Sequence, residues 1–294
     1  MTTKFNAYET VTNKIIALME EHGSNWCKPW AVHGGSAQLQ HNANTGRPYQ
    51  GMNQFLLMWA GYSDNRWGPY GTWQKLGAQV RKGETATRIL KPIMIKVRQD
   101  DGTEETILTG FSEMCVFNAE QCDGVSALPA VERTEHERIA DAEAFVANTG
   151  AVILHGDNSA YYSPLLDHIG MPDLETFTGT STSSAVESYY STLLHELTHW
   201  TMHESRCNRK NEDSRFGNEA YAFEELVAEL GATFACASLG ISPEPRADHA
   251  QYLNGWIKAL KDDDRAIMRA ASQAQKAHKY LEGLQPSEAI SEAA

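Results

Sequence analysis

The segment His195-Glu196-Leu197-Thr198-His199 has the residue types and spacing in this chain that are most specific for chemistry. Side chains four residues apart share one face of a helix, so the imidazoles of His195 and His199 can bind a single metal ion. Glu196 would then lie beside the open coordination position, where a carboxylate can act as general base toward an attacking water. We therefore predict a peptidase centre that holds Zn²⁺, or another divalent metal such as Mn²⁺, with Glu196 as the catalytic residue.

The third ligand of a catalytic zinc ion must come from another element, because no further histidine follows at the spacing of a three-histidine site. Residues 218–239 form a predicted helix that is apolar apart from its glutamates, and buried carboxylates need a cation nearby. Glu225 and Glu229 share a face, so one can bind the metal while the other accepts a hydrogen bond from a histidine N–H. Both assignments stay open, with a slight preference for Glu229, since the small residues after it let this helix approach the motif helix. Glu219 and Glu224 are predicted to be surface or first-turn charges.

Charge is divided unevenly along the chain, and the N-terminal part combines cations with aromatic rings. Residues 1–130 contain 12 basic and 12 acidic residues, whereas residues 131–294 contain 13 and 26, so the net charge of −13 arises in the C-terminal part. Nine aromatic residues lie between positions 26 and 73, and eight basic residues with a single acid lie between 66 and 98. Stacking rings beside a positive groove are what an unpaired strand requires, so we predict sequence-tolerant binding of single-stranded nucleic acid.

The residues predicted to contact the strand are Trp26, Trp30, Trp67, Trp73, Lys75, Arg81, Lys82 and Arg88. The tryptophans among them, with Tyr49 and Tyr70, stand in polar, glycine-rich segments, and we expect their rings to be exposed.

The composition is typical of a soluble globular chain: 41% of the 294 residues are hydrophobic and 21% are charged, which excludes disordered, collagenous and coiled-coil proteins. The longest apolar run, Phe55–Tyr62, is far shorter than the roughly 20 residues that cross a bilayer, and the first residues lack a signal-peptide pattern. We expect a cytoplasmic protein without a membrane partner. The odd number of cysteines, with no C-x-x-C pair, predicts free thiols.

The pattern of elements predicts two domains and an α+β fold. Periodicity is lost over residues 123–132, which places the boundary near 130 and gives domains 1–130 and 131–294. In the first, a helix ending at Gly23 precedes a hairpin of strands Ile89–Val97 and Ile107–Phe117. The second is predicted to be mainly helical, with a helix at 134–149, a strand at 152–154, an edge strand at 160–162 that could hold an extended peptide, and helices at 184–204, 218–239 and 247–282.

Eight segments, in this order along the chain, match one known family: N-W-C-K-P-W (25–30), T-G-R-P-Y-Q-G-M-N (45–53), T-W-Q (72–74), V-R-K-G-E (80–84), Y-S-P-L-L-D (162–167), H-E-L-T-H-W-T (195–201), R-F-G (215–217) and Y-A-F-E-E-L-V-A-E (221–229). In these segments the chain resembles the ArdC antirestriction proteins of conjugative plasmids. The resemblance implies an N-terminal single-stranded-DNA-binding domain, related to one in TraC-type primases, and a C-terminal zincin-type metallopeptidase domain. It also implies that the protein shields incoming plasmid DNA from restriction during conjugation.

The family's metal motif falls on His195, Glu196 and His199, and its acidic helix on Glu225 and Glu229. The sequence is compatible with two functions. One is an antirestriction protein that coats single-stranded DNA and also carries a peptidase domain. The other is a zinc protease, acting on restriction-system proteins, for which DNA binding provides only localisation.

Overall fold

The computed structural model describes residues 6–27, 38–99, 103–126, 133–180, 182–209, 219–242 and 249–286. The boundary predicted near residue 130 lies outside these ranges. None of the helices within them is long and apolar enough to cross a membrane. The five cysteines are free thiols, as the sequence predicts.

The first helix, α1 (Ala7–His22), ends directly before Gly23, as the sequence predicts. The side chain of Asn6 caps its N-terminus by accepting hydrogen bonds from the backbone N–H groups of Tyr8 and Glu9. Gly23, with a φ of 56°, ends the helix and donates its N–H to the Met19 carbonyl. A 3₁₀ turn, Gly23–Cys27, follows and leads the chain toward the C-terminal helices.

The N-terminal half, residues 6–126, is built on a four-stranded sheet that contains the predicted hairpin. The hairpin strands β4 (Thr87–Arg98) and β5 (Glu104–Asn118) pair antiparallel and are longer than the sequence suggests. The sheet has the order β1-β2-β5-β4, and β3 pairs with β6 in a separate ribbon. The remaining elements are β1 (His41–Asn42), α2 (Met52–Met58), β2 (Arg66–Gly68), α3 (Tyr70–Lys75), β3 (Gln79–Val80) and β6 (Cys122–Asp123).

The C-terminal half, from residue 133, is mainly helical and includes a three-stranded sheet of order β7-β9-β8, so the predicted edge strand is confirmed as β8. Its strands are β7 (Val152–His155), β8 (Tyr161–Ser163) and β9 (His168–Met171), and its helices are α4 (Glu135–Thr149), α5 (Ala185–Trp200), α6 (Glu219–Leu239), α7 (His249–Asp262) and α8 (Ala266–Gly283).

The single helix predicted over residues 247–282 is wrong, because the chain breaks between α7 and α8. The Asp263 carboxylate accepts a hydrogen bond of 2.9 Å from the backbone N–H of Arg265, and the Asp263 carbonyl accepts one from Ala266. An aspartate that bonds to the nearby backbone in this way competes with the helical hydrogen bonds and favours a turn.

The largest hydrophobic core combines α1 and α2 with α6, α7 and α8. Trp26 illustrates this arrangement: its buried ring lies 5.5 Å from that of Phe55 and 6.1 Å from that of Trp256. A second core surrounds α5, where Leu193, Leu194 and Leu197 pack against β9 and α4. The N-terminal and C-terminal halves therefore share one interior, while the motif helix is packed by the C-terminal half.

Candidate functional site

Helix α5 positions the motif because its start is capped and its sides are buried. The Ser184 side chain accepts from the Glu187 backbone, and the Glu187 carboxylate accepts from the Ser184 backbone in return. Apolar residues on neighbouring turns fix the helix, and they leave His195 only 3% and His199 only 9% exposed. Buried imidazoles require polar partners.

Three donor groups converge beside α5. The Nε2 atoms of His195 and His199 lie 3.1 Å apart; His195 Nε2 lies 3.5 Å from Glu225 Oε2, and His199 Nε2 lies 3.5 Å from Glu225 Oε1. Four-coordinate zinc with ligand bonds near 2.1 Å places its donors about 3.4 Å from one another. Two neutral imidazoles and one carboxylate with this spacing therefore fit a single divalent cation.

The other nitrogen of each ring faces its own carboxylate, and both carboxylates come from α6. His195 Nδ1 lies 2.9 Å from Glu229 Oε1, and His199 Nδ1 lies 3.3 Å from Glu224 Oε1. Carboxylates in these positions orient the rings and raise their basicity. Sequence spacing slightly preferred Glu229 as the third ligand, whereas the geometry places Glu225 between the two Nε2 atoms.

The expectation that Glu224 is a surface charge is wrong, because its side chain is buried against Arg209. Glu224 is 6% exposed, and its carboxylate accepts bonds of 2.7 Å from Nη2 and 3.2 Å from Nε of Arg209. The same guanidinium donates to the Thr198 carbonyl, which fixes it against α5. No sequence spacing identifies Arg209, although a glutamate in an apolar helix is itself a sign that a cation must be nearby.

Helices α5 and α6 can approach closely because Gly231 has no side chain. A Cβ atom at Gly231 would clash with the methyl group and hydroxyl of Thr198. The small residues after Glu229 thus have the role that the sequence predicts for them. This contact brings Glu225 of α6 within reach of both histidines, Glu229 within reach of His195 and Glu224 within reach of His199.

Without a bound metal, His195 and His199 hold protons at neutral pH, because their pKa values are raised. Burial alone would lower the pKa of His195, but its hydrogen bonds to Glu225 and Glu229 outweigh burial and raise that pKa to about 9. Burial is likewise outweighed at His199, where the charge of Glu225 and the hydrogen bond to Glu224 raise the pKa to about 10. Burial would raise the pKa of Glu225, yet the two imidazoles hold it well below its usual range.

Glu196 lies inside the same cluster. Its side chain is 1% exposed, and its charge contributes to the raised pKa of His199.

The loop after α5 connects this region to the edge strand β8. Arg206 donates to Asp167 at 3.0 Å, and Asp167 accepts from the Tyr162 hydroxyl at 2.8 Å.

The N-terminal half reaches the back of the cluster through Cys27. The Cys27 carbonyl accepts a hydrogen bond of 3.5 Å from the Thr233 hydroxyl of α6. Burial, reinforced by the charge of Glu229, raises the pKa of the Cys27 thiol well above its ordinary value. The thiol is therefore protonated at neutral pH.

The expected exposure of Trp26, Trp67 and Trp73 is wrong, since they are 0%, 0% and 2% exposed. Trp67 donates its indole N–H to Gln40 at 2.6 Å, and Trp73 donates to the Phe117 carbonyl at 3.0 Å. Trp67 and Trp73 thus fill the interior of the N-terminal half and bond through their only polar atom, while the Trp26 ring packs against Phe55 and Trp256.

Among the other rings expected at the surface, Tyr70 is 43% exposed and Tyr49 is half-buried. Trp30 lies outside the described residues.

The predicted cations Lys75, Arg81, Lys82 and Arg88 are all exposed. Arg81 pairs with Glu84 at 2.8 Å and Arg88 with Glu113 at 2.9 Å. Lys75 and Lys82 form no ion pair within the described ranges, which leaves both ammonium groups to solvent.

Two family models match the chain in sequence. One, the N-terminal domain of the anti-restriction factor ArdC, matches residues 5–137, and the other, a zincin-like metallopeptidase, matches residues 140–273. The uncharacterized protein y4eC of Sinorhizobium fredii is 37% identical over 96% of this chain and 94% of its own length. The DNA primase TraC of Escherichia coli is 36% identical over 93% of this chain, which spans 27% of the primase.

Two solved structures of the antirestriction protein ArdC from plasmid R388 are also similar. The metal-free structure is 37% identical, with a TM-score of 0.75 over 95% of this chain and 98% of that one. The Mn(II)-bound structure is 36% identical, with a TM-score of 0.74 over the same shares.

Proposed function

The chain belongs to the ArdC family of antirestriction proteins, and from that premise we propose that it binds single-stranded DNA through its N-terminal half and carries a divalent-metal peptidase centre in its C-terminal half. In this proposal it works in the cytoplasm of a recipient cell, where it protects incoming plasmid DNA during conjugation.

The observation that carries the metal assignment is the triangle formed by the two Nε2 atoms and the Glu225 carboxylate. Its edges suit zinc, and the Mn(II) bound by the R388 relative makes manganese an equal candidate. We assign His195, His199 and Glu225 as the ligands. Glu229 and Glu224 are assigned to hold the two rings, since each faces a ring nitrogen that points away from the triangle.

A divalent ion, when bound, supplies a Lewis acid that polarises the carbonyl of a peptide. Glu196 has the role of general base: its carboxylate takes the proton that the attacking water loses and returns it to the leaving amine. Arg209 keeps Glu224 ionised, so that Glu224 can accept the N–H of His199 Nδ1. The edge strand β8 is the element available to pair with an extended substrate.

The DNA-binding assignment is supported by the exposed cations of the N-terminal half and by the similarity to a DNA primase. Phosphate contacts of this kind need no base-reading motif, so binding should depend strongly on salt and weakly on sequence. Protection would then follow from occupancy, because a covered strand is not available to a restriction enzyme.

A second function keeps peptide cleavage as the main activity, with restriction-system proteins as its substrates. It is favoured by the burial of Glu196 beside the metal triangle, because a purely structural metal site needs no general base.

The experiment that separates the two functions is the Glu196→Gln substitution, with Glu204→Gln as a matched exposed control. Neither residue is an assigned ligand, so both variants should keep the fold and bind metal. Peptide hydrolysis by Glu196→Gln should fall by about 10² to 10⁴-fold.

Transfer of unmodified plasmid into a restricting recipient should remain protected by both variants. Loss of protection in a folded, metal-loaded Glu196→Gln protein would show that peptide cleavage is responsible for protection. If wild-type protein bound no divalent metal in equilibrium dialysis, the metal assignment would be wrong.

A further inference from the structure

A cavity of about 480 Å³ lies in the N-terminal half between α1, α2 and β4. Its volume is within the range of roughly 300 to 1,000 Å³ that small-molecule sites occupy. Leu56, Ile89 and Leu90 form an apolar floor, and each is at most 5% exposed. Hydroxyl groups from Thr10 and Thr85 stand among the lining residues.

The charged residues that line the cavity, Lys14, Arg88 and Glu113, sum to one positive unit. Arg88 is tied to Glu113 at 2.9 Å, so this pair is neutral. Lys14 has no acidic partner within the described residues, and partial burial of its ammonium lowers its pKa; this ammonium is the uncompensated charge. One positive unit suits the single charge of a phosphodiester and is too little for a polyphosphate.

Tyr62 supplies a half-buried ring to the wall of this cavity. The ring packs edge-on against Trp67, with centroids 5.3 Å apart and planes at 84°. Trp67 is itself fixed by its bond to Gln40. A ring supported in this way presents a stacking surface at little cost in conformational entropy.

We propose that this cavity holds one nucleotide of a bound DNA single strand, with the base against Tyr62 and the apolar floor and the adjacent phosphate at Lys14 and Arg88. The inference rests on the proposed DNA-binding function and gives it a location. A base inside the cavity cannot also be paired, so occupancy of the cavity makes binding selective for unpaired strands.

The test uses the full-length protein and a dye-labelled thymidine oligonucleotide, followed by fluorescence anisotropy. Tyr62→Ala should weaken binding by roughly 5- to 150-fold, the range for one stacked base. Lys14→Gln should lower the salt dependence, the slope of log K against log salt, by about 0.7. The matched controls Tyr70→Ala and Lys261→Gln change an exposed tyrosine and an exposed lysine outside the cavity, and the affinity of each should stay within about 2-fold of wild type.

A second readout needs no substitution and so does not depend on how the variants fold. Irradiation of wild type bound to a 5-iodouracil oligonucleotide should cross-link Tyr62. Two results would overturn the cavity proposal while the DNA-binding function stands, provided that wild type binds DNA. One is an equal loss of affinity in cavity and control variants, and the other is cross-linking only at Tyr70. Absence of any binding by wild type would refute that function and the cavity proposal together.

Discussion

The two halves of the molecule differ in the charged groups that they bury. The described N-terminal half has an interior of apolar side chains, several of them indole rings, and its charged groups stay outside the interior, some in pairs such as Arg88–Glu113. In the C-terminal half the centre contains two histidines and four glutamates, all 9% exposed or less. A ring gains free energy by burial with any apolar neighbour, whereas a charge is buried only where partners of opposite charge are fixed.

The comparison explains why one sequence signal predicts a site better than the other. Aromatic residues are compatible with both core and binding surface, so their number in a segment does not distinguish the two. A glutamate within an apolar helix is buried, and a buried carboxylate is costly unless a cation lies beside it. Charged residues in an apolar pattern therefore predict a site, while aromatic residues in a polar pattern do not.

The largest expected effect is the dependence of metal affinity on pH. Because the pKa values of His195 and His199 are raised to about 9 and 10 in the metal-free protein, metal must displace protons at neutral pH. Affinity should rise by roughly 10- to 100-fold per pH unit from pH 6 to 8. Isothermal titration in buffers of different ionisation enthalpy measures both the affinity and the protons released. An affinity that is flat over this range would show that both imidazoles are already neutral.

The same pKa shifts affect the stability of the metal-free protein. A folded pKa above the unfolded value of about 6.5 stabilises the fold fully below that pH, and the contribution is lost as pH rises through 9 and 10. Metal-free protein should thus lose stability as pH rises from about 6.5 to 10, and saturating metal should reduce this loss.

The ring-filled interior can be tested by the Trp67→Ala substitution. Removal of this fully buried ring should lower the free energy of unfolding by about 3 to 5 kcal/mol, because a cavity remains. The control is Tyr70→Ala, where the ring is 43% exposed, and it should cost less than about 1 kcal/mol. Urea denaturation measures both values, and equal costs would contradict the burial difference.

The buried charges can be compared with the exposed ones by substituting one arginine in each half. Arg209→Ala should destabilise the protein by about 3 to 5 kcal/mol, since Glu224 would remain buried without this partner. Arg88→Ala removes a pair whose arginine is 69% exposed, and it should cost at most about 1 kcal/mol. A small effect at Arg209 would mean that the Glu224 carboxylate takes up a proton or turns to solvent.

The smallest effect distinguishes the ligand from the two carboxylates behind the rings. Glu229→Gln and Glu224→Gln should each weaken zinc binding by about 10- to 100-fold, while Glu225→Gln should weaken it further. Competition with a zinc chelator ranks the three variants. Should Glu229→Gln prove the weakest binder, Glu229 would be the ligand that the sequence slightly preferred.

The sequence by itself predicted most of the elements, apart from the break between α7 and α8, and the residues that form the candidate site. The i, i+4 histidines, the adjacent Glu196, the glutamate-bearing helix and the long hairpin all follow from spacing, because helical and strand periodicity are local properties of the chain. The small residues beyond Glu229 even indicated where two helices approach, and Gly231 has that role at Thr198.

Only the tertiary structure decided which atoms meet. Glu225 and Glu229 lie on one helical face, and their ranking depends on the rotation of α6 against α5, which no local pattern encodes. Arg209 became visible as the partner of Glu224 only once the loop after α5 was placed. Likewise, Trp26 became interior because Trp256, more than two hundred residues away, packs against it. Burial depends on contacts between distant parts of the chain, whereas propensity is read from neighbours.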